Sequence, residues 1–241
     1  PDIHLNIQNK SMNEQLGKII TELDNHLNDE IVKNLFVFGD VTSTLAGAIT
    51  AKNSNIRCLH VEAGLRSRNL DMPEERNRMM VDAICDKLYT PSSDAVQNLL
   101  SENVAIEKIK NVGNIMIDTL VKNFDHIVSK ENFDPAEFSL ERNYFVLTLH
   151  RPINLTDTNL KIIFDAVSKF TKDYDILIPA HPRLRDFVVK NNIDTTKFKV
   201  INPQPYIKFL GLVNNSTLCL TDSGGLQAVS YTHLTLPTRL M

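Results

Sequence analysis

Tryptophan is absent from this chain of 241 residues, and cysteine occurs only at Cys58, Cys85 and Cys219. Three widely spaced cysteines, each in or beside an apolar segment, argue against a disulfide framework or a zinc site and read as buried core thiols. Long hydrophobic runs are also missing. The apolar stretches, such as Leu35 to Phe38, fall far short of the roughly 18 residues a membrane span needs. No signal-peptide pattern opens the sequence, so a cytoplasmic location without membrane attachment is the expectation. Neither sign of charge dominates: 26 Lys and Arg stand against 29 Asp and Glu, a net charge of -3 spread along the chain. That balance leaves no basic block for nucleic acid or an anionic membrane surface, so an anionic ligand has to be held by local geometry. Short repeats and low-complexity tracts are absent too, which excludes a solenoid.

The sequence instead has a 42% hydrophobic content, enough to fill an ordinary core, arranged as short β-rich runs alternating with longer amphipathic segments. Strands are predicted at Asn34 to Phe38, Arg57 to Val61, Lys87 to Thr90, Lys108 to Val112, Tyr144 to Leu149, Asp175 to Pro179, Lys199 to Ile201 and Thr217 to Thr221. Helices are predicted between them, and the pattern is that of a doubly wound α/β protein with parallel sheets. The polar stretch from Lys130 to Asn143, with Asp134-Pro135 inside it, interrupts the alternation and predicts a linker. It divides a first domain over 1–135 from a second over 136–228. Ahead of the first helix, Ile3, Leu5 and Ile7 alternate as in a strand, with no start signal before Pro1.

In open parallel sheets ligands sit at the carboxyl ends of the strands, which directs attention to the residues after each apolar run. Asp40, His60, Glu62, His150, Arg151, His181 and the run Asp222-Ser223-Gly224-Gly225 all occupy such places. Each has a plainer alternative. Asp40 suits the cap of a helix starting near Thr42. Glu74 and Glu75 after Pro73 suit a helix first turn. The glycine pair suits either a tight turn or a backbone cradle for phosphate. The convergence of so many ionisable groups on strand ends favours the functional reading.

The runs Gly39-Asp40-Val41-Thr42-Ser43-Thr44-Leu45-Ala46, His60-Val61-Glu62-Ala63-Gly64-Leu65-Arg66 and Met72-Pro73-Glu74-Glu75-Arg76-Asn77-Arg78 closely resemble blocks of the non-hydrolysing UDP-N-acetylglucosamine 2-epimerases. Val112-Gly113-Asn114 with Asp118, Thr148-Leu149-His150-Arg151-Pro152, Pro179-Ala180-His181-Pro182 and Thr221-Asp222-Ser223-Gly224-Gly225-Leu226-Gln227 follow in the same order. The resemblance implies two Rossmann-like domains facing each other across a cleft, the glycosyltransferase-B arrangement. It also implies an isomerase with no metal or cofactor, UDP-N-acetylglucosamine as substrate, and a homodimer. Asp40, Glu62, Glu74 and His150 match the family's catalytic positions; Arg66, Arg151, His181, Ser223, Gly224 and Gly225 are the expected substrate-binding residues. The implied reaction is anti elimination of UDP to 2-acetamidoglucal and re-addition with the C2 proton delivered to the other face. Hydrolysing epimerases, glycosyltransferases of the same architecture and inactive nucleotide-sugar binding modules are the alternatives.

Some positions depart from the family pattern. Relatives begin earlier, with a strand and a phosphate loop. Position 153 is Ile where many carry a polar residue, and Ala228 stands where an acidic residue holds the ribose. The run Val229-Ser230-Tyr231-Thr232-His233-Leu234-Thr235-Leu236-Pro237-Thr238 resembles a translated sequencing adapter, so residues from about Val229 onward are expected to be foreign. Little or no turnover is expected from the chain as it stands.

Overall fold

The computed structural model describes residues 2–7, 11–28, 32–129, 134–151, 153–226 and 238–240. They form two compact units, Pro1–Ile115 and Met116–Met241. In unit 1, helix α1 (Met12–Asn28) precedes β1 (Asn34–Phe38), α2 (Thr42–Asn53), β2 (Arg57–Val61), α3 (Pro73–Ile84), β3 (Lys87–Thr90), α4 (Ser93–Ser101) and β4 (Ile109–Asn111). The four strands are parallel in the order β1-β2-β3-β4. Leu35 and Val37 alternate onto α2, whose buried Ala46, Gly47, Ala48 and Ala51 let the helix lie close to the sheet. A Cβ at Gly47 would stand 2.9 Å from Val37 Cγ1. Helix α3 opens on Pro73 with Glu74 and Glu75 in its first turn, where a missing N–H and negative charge both suit the helix dipole. Ser92 caps α4 by accepting from the Ala95 N–H at 3.3 Å. Val37, Leu45, Cys58, Val81, Leu88 and Leu99 fill the core.

Unit 2 takes all but the first residue of α5 (Ile115–Val128), followed by β5 (Tyr144–Thr148), α6 (Asp157–Ser168), β6 (Asp175–Pro179), α7 (Pro182–Lys190), β7 (Lys199–Ile201), α8 (Tyr206–Asn214) and β8 (Leu218–Thr221). Its parallel sheet has the order β7-β6-β5-β8-β9, with β9 (Thr238–Leu240) beside β8. The sequence steps outward from β5 through β6 to β7 and then returns to the far side of β5. The carboxyl ends of β5 and β8 therefore flank a topological switch point, the place where such sheets bind ligands. The units divide between Ile115 and Met116, ahead of the linker expected at Lys130 to Asn143. Leu120 and Ile127 of α5 pack with Tyr144, Val146 and Leu210, and Phe138, from that polar stretch, joins the same core. Residues 130–133 lie outside the described residues.

Residues 2–7 hold no regular structure, although Ile3, Leu5 and Ile7 alternate as a strand would. Asn6 sits at φ +49°, which breaks the extended run, and no described strand pairs with it. Of the tail expected to be foreign, only Thr238–Leu240 is described, as backbone. No helix among the described residues is long and apolar enough to cross a membrane.

Candidate active site

The rim of unit 1 is built from the turns after β1 and β2. Gly39 follows β1 at φ +69° and Glu62 follows β2 at φ +74°. A left-handed glutamate costs about 1–2 kcal/mol, and the surrounding structure holds it there. The N–H groups of Glu62 and Ala63 both donate to the Tyr89 carbonyl, at 3.1 and 3.0 Å. These turns face each other: a Cβ at Gly39, next to Asp40, would lie 3.8 Å from Glu62 Oε2, and the Asp40 charge is felt at the Glu62 carboxyl. The Glu62 side chain reaches solvent, yet partial desolvation and then the charge of Asp40 push its carboxyl above the usual range; Arg78 and His60 pull the other way.

Asp40 is not a helix cap. Val41 occupies the N-cap of α2 without a side-chain bond, and the Thr44 hydroxyl donates to the Phe38 carbonyl at 2.6 Å. The Asp40 carboxylate instead pairs with Arg78 of α3, while Asn77 Nδ2 donates to the Asp40 carbonyl at 2.9 Å. Arg78 also holds Glu75 Oε2 at 2.7 Å. Glu75 is buried, which would raise its carboxyl, but the Ser67 and Arg68 N–H groups at 2.9 Å, the Ser67 hydroxyl and Arg78 outweigh that and hold it low. Glu74 is exposed and makes no hydrogen bond or ion pair among the described residues. Arg66, expected on the substrate, grips Glu102 through Nε at 2.7 Å and Nη2 at 2.6 Å, and Asp82 through Nη1 at 2.8 Å. With 3% of its side chain exposed, this guanidinium is committed to tying its loop to α3 and to the end of α4.

In unit 2 the switch point carries an aspartate–histidine pair. Asp222, at 2% exposure, accepts from the N–H groups of His150 at 3.1 Å and Arg151 at 2.9 Å, and from Asn154 Nδ2 at 3.0 Å. His150 Nδ1 lies 2.6 Å from Asp222 Oδ1. Burial alone would raise the Asp222 carboxyl; the bonds from Asn154, Arg151 and His150, and the imidazole charge, hold it below the ordinary value. A carboxylate on Nδ1 assigns that nitrogen a proton, and the ring remains about half exposed.

The β5 and β8 ends are tied by the Thr148 and Thr221 hydroxyls at 2.7 Å, and Ser223 N–H donates to Thr221 Oγ1 at 3.0 Å. A helix starts at Gly224, and Ser223 Oγ caps it by accepting from Leu226 N–H at 3.3 Å. The Arg151 guanidinium reaches over this start, 3.9 Å from where a Gly224 Cβ would stand. Beside it, Met116, Thr119, Tyr206, Phe209 and Leu210 line a largely apolar pocket of about 310 Å³ with Ser223 and Gly225 at its edge. His181 caps α7, its Nδ1 accepting from the Arg183 N–H at 3.3 Å.

The structure thus groups Asp40 with Glu62, and His150 with Arg151, Ser223, Gly224 and Gly225. Sequence reasoning missed Arg78, Asp82, the site role of Asp222, and the aromatic pocket of α8. Arg78 had a visible signal, its i+3 spacing from Glu75 on a helix. Asp222 stood at a strand end, but its pairing with His150, like that of Asp82 with His60, spans a long separation that no local spacing marks.

The sequence pattern of the UDP-N-acetylglucosamine 2-epimerase family matches residues 1–240. The chain is 36% identical over 239 residues to the UDP-N-acetylglucosamine 2-epimerase of Methanococcus maripaludis, and 38% identical over 237 residues to that of Methanocaldococcus jannaschii. In both cases 94% of this chain is covered and it spans 65% of the relative's length. A crystal structure of the M. jannaschii enzyme in complex with UDP-GlcNAc and UDP superposes with a TM-score of 0.87 at 36% identity, covering 100% of this chain and 68% of that one. With the match running through nearly every residue, the turns that hold Asp40, Glu62 and His150 included, this chain belongs to the UDP-N-acetylglucosamine 2-epimerase family.

Proposed function

We propose that this chain is the greater part of a non-hydrolysing UDP-N-acetylglucosamine 2-epimerase, which interconverts UDP-GlcNAc and UDP-ManNAc. The observation that carries the reading is the switch point of unit 2, where Asp222 orients His150 and is followed at once by a glycine-opened helix start with Arg151 over it. Such a start offers backbone N–H groups and the positive end of the helix dipole to a diphosphate. Ser223 and Arg151 add a hydroxyl and a guanidinium. The neighbouring pocket, walled by Tyr206 and Phe209, suits a flat uracil ring.

The chemistry requires more than a base. The hydrogen on C2 of the intact sugar is not acidic, so elimination must break the C1–O bond as the C2–H bond breaks. UDP then departs with the bonding electron pair and leaves a C1–C2 double bond. Addition runs the same steps backwards, with the proton reaching C2 from the opposite face. The Asp222-held His150 and the Ser223-Gly224-Gly225 start stabilise the departing charge. The unit 1 carboxylates serve the ring: Glu62, whose carboxyl is held above the usual range by partial burial and by Asp40, is suited to holding and passing a proton, and Asp40 supplies negative charge against the positive charge developing at C1. Glu74 is proposed as the third acid, and His181 as part of the nucleotide site.

UDP binding to the chain, measured by calorimetry, tests the unit 2 half. His150→Ala is expected to weaken it about five-fold, the loss of one hydrogen bond of about 1 kcal/mol. Unchanged affinity in both His150→Ala and Ser223→Ala would remove the nucleotide assignment. For the full-length protein, UDP-GlcNAc in D2O should yield UDP-ManNAc with deuterium at C2. Free N-acetylmannosamine, or sugar moved to an acceptor, would select the hydrolysing or transferase alternative.

A further inference from the structure

His60 sits on β2, two residues before Glu62, and its ring has no solvent exposure. Nδ1 lies 2.7 Å from Asp82 Oδ1 and Nε2 lies 2.8 Å from the Gly39 carbonyl oxygen. A carbonyl only accepts, and so does an ionised carboxylate. Asp82 has the surroundings of an ionised one: its other oxygen receives the Gly64 N–H at 3.0 Å and Arg66 Nη1 at 2.8 Å. A ring with one N–H would therefore set a lone pair against a lone pair at one end, in a site closed to water. A ring with two satisfies both ends. Charge balance agrees. Arg66 closes on Glu102 as well as Asp82, so a charged His60 makes two cations and two anions, whereas a neutral one leaves an excess negative charge in the cluster.

We infer that His60 is a positioning residue: a buried imidazolium that donates at once to the Gly39 carbonyl and to Asp82, locking the turn that carries Asp40 to the loop that runs from Glu62 to Arg66. Both turns depend on left-handed residues, Gly39 and Glu62, and such conformations persist only where neighbours over-determine them. The Gly39 N–H donates to the Val61 carbonyl at 3.1 Å, so this turn is clasped from both its ends. Facing the ring and the two turns are Asp82, Arg78, Asp40, Glu62 and Arg66 with its partner Glu102, and the His60 charge is one of the influences drawing the Glu62 carboxyl down. The inference rests on the epimerase reading only for what the two carboxylates are used for.

Nitrogen-15 NMR of the ring in the folded chain tests it, with two protonated nitrogens on His60 expected. A ring with one protonated and one bare nitrogen would overturn it. His60→Gln keeps an amide N–H directed at the Gly39 carbonyl while removing the charge. In the folded variant the Glu62 carboxyl, followed by carbon-13 NMR, is expected to titrate at a higher pH than in the wild type, a shift that lost packing alone would not give. An unmoved Glu62 midpoint in a folded His60→Gln protein would also overturn the inference. If that variant fails to fold, the wild-type ring spectrum still decides. Neither readout involves nucleotide, so failure of UDP binding would count against the epimerase reading and leave this result standing.

Discussion

Replacing Asp222 by Asn changes few atoms and removes much of what arranges the unit 2 site. The carboxylate accepts through both oxygens: His150 Nδ1 and N–H on one side, Arg151 N–H and Asn154 Nδ2 on the other. Whichever way the new amide turns, its NH2 group meets two donors and two charge-assisted bonds are lost. Each such bond contributes about 1.5–3 kcal/mol when buried. His150 and Arg151 are exposed and water serves them in part, so a net loss of about 2–3 kcal/mol is expected. At roughly 3–4 °C per kcal/mol, that lowers the unfolding midpoint of unit 2 by about 6–12 °C in calorimetry. The pH dependence gives a second check. Asp222 holds its carboxyl below the ordinary value, so its contribution is complete above the unfolded carboxylate range and is lost as pH falls through the lower, folded one. The gap between wild type and Asp222→Asn is therefore widest near neutral pH and closes on acidification below about pH 4. No gap at neutral pH, or one that widens in acid, would refute the reasoning.

Gly64 and Gly113 share a left-handed backbone, at φ +80° and +81°, but a Cβ on Gly64 would lie 2.4 Å from the Ala95 carbonyl oxygen, while one on Gly113 meets nothing within 4 Å. Gly113→Ala is expected to cost about 1–2 kcal/mol from strain alone, and Gly64→Ala more than about 3 kcal/mol, because backbone cannot step aside; equal costs by urea unfolding would contradict this. Glu62→Gln is expected to raise the urea midpoint at neutral pH, since Glu62 titrates above the ordinary range and its folded-state penalty is present once pH rises past that range. The gain should vanish below about pH 4, where the unfolded carboxyl is protonated too; in the full-length protein the same change is expected to cost at least about 100-fold in turnover.

The strands were legible because a parallel strand buried on both faces leaves an unbroken apolar run, as Asp175–Pro179 does with only its ends polar or proline. The rim residues were legible for a related reason, since every strand of a βα unit delivers its next residue to the same edge. The unit boundary was not, because α5 is amphipathic and nothing in its sequence says which core its apolar side joins. The capping role offered to Asp40 failed once a cation from another element was near enough to take the carboxylate. His60 finds its acid 22 residues away and His150 finds its own 72 residues away. Such pairs belong to the packing of elements and carry no local spacing that could announce them.

The small-residue seat of α2 has a consequence beyond packing. With a side chain at position 47 destined to strike Val37, the helix has no room to be shimmed outward without tilting β1. Asp40 rides on the short hinge between that strand and that helix, so a single added methyl group, well away from any ligand, would lever the acid out of line with Glu62.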